Sequence, residues 1–103
     1  MGAVKGFSEL EARLDKATTA LLPGLRTTKR LDALALAEVL DVADEFASAL
    51  ASREDIPRAL VGKLWFVFTA ILTEADHASE PEPLLDAAWD YQERLRKIFG
   101  PTL

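Results

Sequence analysis

The sequence predicts an all-α fold, a compact four-helix up-down-up-down bundle, and three observations lead there. Apolar residues recur at three- and four-residue spacing in four separate segments. Each segment is bounded by residues that start or stop helices. No stretch alternates apolar and polar residues long enough for a strand, and no Asn-Gly or Asp-Gly hairpin turn occurs. The helices are expected at about 8–22, 28–52, 56–77 and 80–99, within one domain covering residues 1–103.

The first helix is expected to start at Ser8, whose hydroxyl can cap a free N–H while Glu11 reaches back to the Ser8 amide. Leu10, Leu14, Ala17 and Leu21 form its apolar stripe, and Pro23-Gly24 is expected to stop it. Thr27 or Thr28 can then cap the second helix, which contains no Gly or Pro and is rich in Ala. On a helical wheel Leu31, Ala35, Val39, Val42, Ala43, Phe46 and Leu50 share one half, while Glu38, Asp41, Asp44, Glu45 and Ser48 share the other.

Asp55 is the expected cap of the third helix, because it leaves Pro57 in the first turn, where a missing N–H costs little. Apolar side chains surround this helix, with Trp65, Phe66, Val67, Phe68, Ile71 and Leu72 leaving a thin edge at Arg58, Gly62, Thr69, Thr73 and Asp76. A helix of that kind is usually central. Ser79 and Glu82 repeat the capping-box spacing for the fourth helix, whose stripe runs Leu84, Leu85, Ala88, Tyr91, Leu95, Ile98 and Phe99 before Gly100-Pro101. Short connections favour antiparallel neighbours, hence the up-down-up-down order.

Composition narrows the function classes. Half of the 103 residues are hydrophobic and 28% are charged, a balance that folds. With no cysteine there is neither a disulfide framework nor a thiolate site, which fits a cytoplasmic location. Residues 1–6 show no apolar run resembling a secretory signal, and Leu64–Leu72 is far shorter than the roughly 20 residues a bilayer span requires. No membrane association is expected. The formal net charge is −5, so the surplus positive charge that phosphate binding needs is missing and nucleic acid is not an expected partner.

Chemistry-bearing motifs are sparse. Glu74 and His77 have the Glu-x-x-His spacing of di-iron carboxylate bundles, but a full site needs two such pairs plus two more Glu residues. The chain has one His, so only a symmetric dimer could complete the set, drawing on a carboxylate such as Glu38 or Glu45. The plainer reading puts His77 in the last turn of the third helix, against free carbonyls and the negative dipole end. No Gly-x-Ser-x-Gly elbow and no phosphate-cradling glycine cluster occurs. No enzyme activity and no cofactor are expected.

Two features point to a protein partner instead. Five acidic residues and no Lys or Arg lie between Leu31 and Ser52, and seven with none between Glu74 and Glu93. Asp41, Asp44 and Glu45 are therefore candidates for meeting a basic partner, against the plainer reading that a modest one-sign charge serves ordinary solubility. Trp65 and Phe66 flank the thin edge of the third helix beside Thr69 and Thr73, where exposed rings would form an interface patch, a homodimer included, unless the bundle covers them. The expected function is a small acidic, non-enzymatic protein–protein interaction module, an immunity- or antitoxin-like binder of a basic partner being one concrete form. The alternatives are the homodimeric metal-binding bundle and a domain holding a small apolar ligand between Trp65, Phe68 and Tyr91.

Overall fold

The computed structural model describes the chain over residues 2–100, with side chains described from Phe7 onward. It is a four-helix bundle: α1 is Gly2–Thr28, α2 Ala33–Leu50, α3 Arg58–Ala75 and α4 Glu82–Phe99. No strand occurs among the described residues. One face of each helix is buried: Leu10, Leu14, Ala17, Leu21 and Leu25 of α1 meet Val39, Val42, Phe46 and Leu50 of α2, Leu60, Leu64, Val67 and Ile71 of α3, and Leu84, Ala88, Tyr91 and Leu95 of α4. No polar or charged side chain is buried among these apart from the phenol of Tyr91.

The packed pairs are α1–α2, α1–α3, α2–α4 and α3–α4, so the order around the bundle is α1, α2, α4, α3. Directions alternate along the chain. Lys63 near the start of α3 meets Glu11 and Asp15 in the middle of α1, and Glu74 near the end of α3 meets Lys29 just past the end of α1, so α1 and α3 run parallel. Two antiparallel hairpins, α1–α2 and α3–α4, therefore lie side by side, with α2 and α3 on a diagonal. The connection over residues 51–57 is long enough to cross the bundle end, which a tight turn would not allow.

Helix boundaries depart from the sequence reading where a local signal competes with packing. α1 starts well before Ser8, and the extension places the Phe7 ring against Phe46 with centroids 6.3 Å apart and the Arg53 guanidinium over the Phe7 ring at 4.9 Å. A capping box contributes about 1 kcal/mol, and burying an aromatic ring outweighs it. Pro23-Gly24 does not stop α1 either. Pro23 sits on the solvent-exposed side of α1, and continuing the helix carries Leu25 fully into the core. The helix ends instead at Lys29, in the left-handed region with φ 57°.

Thr27 and Thr28 consequently close α1 and do not cap α2. Their hydroxyls donate to the carbonyls of Pro23 and Gly24 at 2.7 and 2.9 Å, and the cap of α2 is Asp32, which accepts from the Ala35 amide at 3.0 Å. Neither Asp55 nor Ser79 caps a helix: Pro57 and Pro81 hold the N-cap positions of α3 and α4 with no side-chain cap bond. A residue preceding proline is steered into extended backbone, so Ile56 and Glu80 cannot start a helical turn behind those caps. α3 also ends at Ala75, leaving His77 exposed in the following turn instead of inside the last helical one. Gly100, with φ 119°, stops α4, and Pro101 lies outside the described residues.

Candidate interaction surface

α3 turns Leu60, Leu64, Val67, Ile71 and Ala75 inward, and the opposite side of the same helix carries Ala59, Gly62, Phe66, Thr69 and Thr73, all exposed. This outer stripe contains no ionisable residue. Two charges of α3 are engaged within the chain: Lys63 bonds Asp15 at 3.0 Å and Glu11 at 3.2 Å, and Glu74 bonds Lys29 at 2.7 Å. Those carboxylates raise the Lys63 ammonium above its ordinary range, Asp15 most strongly, and the Lys29 ammonium holds the Glu74 carboxyl below its own. Phe66, 43% exposed, stands in a shallow groove of about 520 Å³ between α1 and α3, lined also by Thr18, Thr19 and Leu22.

Trp65 and Phe66 are adjacent in sequence and so point about 100° apart on the helix. The structure accordingly separates them. Trp65 is half-buried against α4, stacked on Phe99 at 6.1 Å and edge-on to Phe68 at 5.8 Å. Phe68 in turn lies 6.2 Å from Trp89, which is 49% exposed. Four rings thus run along the α3–α4 seam, on one side of the open stripe of α3 that carries Phe66. The single patch expected from Trp65, Phe66, Thr69 and Thr73 becomes a stripe that carries Phe66, Thr69 and Thr73, with Trp65 turned into the ring row along one edge. Thr69 binds its own hydroxyl to the Trp65 carbonyl at 3.0 Å, which lowers the cost of drying that hydroxyl.

The three acidic candidates on α2 are placed differently from one another. Glu45 is bonded to Arg13 at 2.6 Å, and Arg13 also grips Glu38 through two bonds of 2.9 and 3.0 Å. This fork holds the Glu38 carboxyl below its usual range and pushes the Arg13 guanidinium up. Asp44 lies 3.4 Å from Arg94 and 3.9 Å from Lys97 of α4. Only Asp41 of the three is exposed without an ion-pair partner among the described residues. The acidic run is therefore largely a set of latches to α1 and α4. The sequence does carry a sign of this, since Glu38 and Glu45 are seven residues apart and share one edge of α2.

Glu74 and His77 do not converge with other ligand types. Glu74 is occupied by Lys29, His77 is exposed, and Glu38 and Glu45 face Arg13. Among the described residues no group of three His, Asp or Glu side chains is gathered as a metal would need. Tyr91, expected as a pocket wall, is fully buried, and its hydroxyl donates to the Leu64 carbonyl at 2.7 Å. Two features escaped sequence reading. The stacking of Phe99 on Trp65 depends on how far α4 slides along α3, which no local pattern encodes. Leu34, 85% exposed, lies on the outer side of α2, well away from the stripe of Ala35, Val39, Val42 and Phe46.

Among the described residues, no helix is long and apolar enough to cross a membrane. In comparison with known proteins, the chain matches no family model, no curated protein and no solved structure.

Proposed function

We propose that this protein is a non-enzymatic interaction module that docks another polypeptide on the outer stripe of α3. The observation that carries the reading is the stripe itself: one full helix face, exposed from Ala59 to Thr73, free of ionisable groups, carrying Phe66 and bordered on the α4 side by the row of rings ending at Trp89. Charge depletion around aromatic anchors is what distinguishes the centre of an interface from ordinary surface. Burying an exposed phenylalanine contributes about 1.5–3 kcal/mol at most, and Phe66 is already partly covered. Several such side chains must therefore act together. The rigid bundle beneath supports this, since the stripe is presented on regular helix and little ordering entropy is lost on docking.

The acidic side of α2 is the weaker docking surface, because Asp44 and Glu45 would have to leave Arg94 and Arg13 to meet a basic partner. The test is a photo-crosslinking residue at position 69, with position 41 on α2 as the control, introduced into the full chain in its native cell. A crosslink from position 69 that disappears with Phe66→Asp, and none from position 41, is the expected result. Silence at 69, or crosslinking from 41 alone, overturns the assignment.

A further inference from the structure

The spacing of the stripe and the charges at its two ends bear on what occupies it. Ala59, Gly62, Phe66, Thr69, Thr73 and Asp76 follow one another at steps of three, four, three, four and three residues, a series that reads the same in both directions. Asp76 belongs to the series because its backbone is still helical, with φ −63° and ψ −22°. α3 and the residue after it contain four charges, of which Lys63 and Glu74 are engaged with α1 and Lys29. The other two are Arg58 at the start and Asp76 at the end, both exposed and neither with an ion-pair partner among the described residues.

We propose that a second copy of this chain docks on the stripe, α3 against α3 in antiparallel, with a two-fold axis passing between Val67 and Phe68. This names the partner of the docking surface proposed above and rests on that reading. In this register Phe66 of each copy meets Thr69 of the other, and Gly62 meets Thr73. Arg58 of each copy reaches the Asp76 end of the other, so two ion pairs of opposite polarity close the ends of an uncharged seam. A parallel pairing would set Arg58 on Arg58 and Asp76 on Asp76, and like charges across an interface select against it. Gly62 fits the same arrangement: a Cβ there would meet nothing within 4 Å in its own chain. Nothing inside the bundle requires a glycine in mid-helix, while a helix approaching from outside gains from its absence of side chain.

Sedimentation equilibrium of the full chain over a concentration series tests this, with charge-reversed variants. Arg58→Glu places an acid at the helix start and Asp76→Arg a base at the helix end, both favourable to the α3 dipole, so neither change endangers folding. The wild type is expected to reach twice the mass of one chain. Each single variant should shift the dimerisation midpoint at least about tenfold upward, because two repulsive contacts replace two attractive ones. An equal mixture of the two single variants should form a heterodimer, and the double variant should recover the wild-type midpoint. A wild type that stays monomeric throughout overturns the proposal, as does a dimer indifferent to both reversals. The docking surface itself survives a monomeric wild type when position 69 crosslinks to a different chain, and falls with it only when that position is silent.

Discussion

The Tyr91 hydroxyl donates to the main-chain carbonyl of Leu64 across the α3–α4 seam, 2.7 Å away in the centre of the core. Burial pushes the phenol up from its ordinary pKa, so it stays a neutral donor throughout the range in which the protein is handled. Tyr91→Phe keeps the ring and removes the bond. Leu64 lies within α3, where its carbonyl also serves the helix ladder, so no acceptor is left wholly unsatisfied. The expected loss is about 1 kcal/mol, read as a shift in the urea midpoint at unchanged slope. Tyr91→Ala opens a cavity as well and should cost about 3–5 kcal/mol. Equal losses for the two variants would mean that the ring contributes little packing.

The interhelix ion pairs should give stability a pH dependence of defined sign. Glu38 and Glu74 have folded pKa values held below 4.5 by Arg13 and Lys29 respectively. A carboxylate depressed in this way stabilises the fold fully above its unfolded pKa and loses that contribution as pH falls through the folded value. Stability is therefore expected to be flat from neutrality down to about pH 5 and to decline below 4.5. Lys63 is raised above 10.5, so its contribution is complete below that pH and is lost as pH climbs through the folded value. Glu38→Gln with Glu74→Gln should flatten the acid limb and leave the alkaline limb in place. These pairs are partly exposed, so Arg13→Ala should cost under about 1 kcal/mol and less in high salt. Thermal melts across pH measure all of this.

Gly62→Ala is expected to stabilise an isolated chain by about 0.5–1 kcal/mol, because alanine is the better helix former and the added methyl meets nothing. Chemical denaturation at a concentration too low for self-association gives that value. A loss of stability would imply a neighbour to Gly62 within the bundle.

What the sequence revealed and what it hid divide along one physical line. The buried stripes of α2 and α4, with Val39, Phe46, Leu84 and Leu95 at their centres, follow from periodicity, because burial over several turns outweighs any one residue. Helix ends were harder to place. Pro23 carries a strong stop signal and is overridden by Leu25 two residues further along, and Ser8 carries a start signal and is overridden by Phe7. At such positions about 1–3 kcal/mol of local preference competes with a tertiary contact of similar size. Thr69 and Thr73 were legible as an exposed edge, since α3 has few polar residues to place outward. The engagement of Asp44 and Glu45 by Arg94 and Arg13 depends on which helices are neighbours, information that no single helix contains.

Asp32 and Ser79 should separate a real helix cap from the sequence pattern of one. Asp32 precedes α2 and accepts the Ala35 amide at 3.0 Å, with extended backbone at φ −71° and ψ 113°. Its replacement by Ala frees an amide at the positive end of an 18-residue helix and removes a negative charge from the same place, so about 1 kcal/mol should be lost. Ser79 has the better capping-box spacing, yet α4 starts after Pro81 with no side-chain cap bond. Ser79→Ala should therefore leave stability within about 0.5 kcal/mol of wild type. Hydrogen exchange adds a local reading: the first-turn amides of α2 should lose protection in Asp32→Ala, while those of α4 stay unchanged in Ser79→Ala. The opposite ranking would place the start of α4 two residues earlier, with Pro81 inside its first turn.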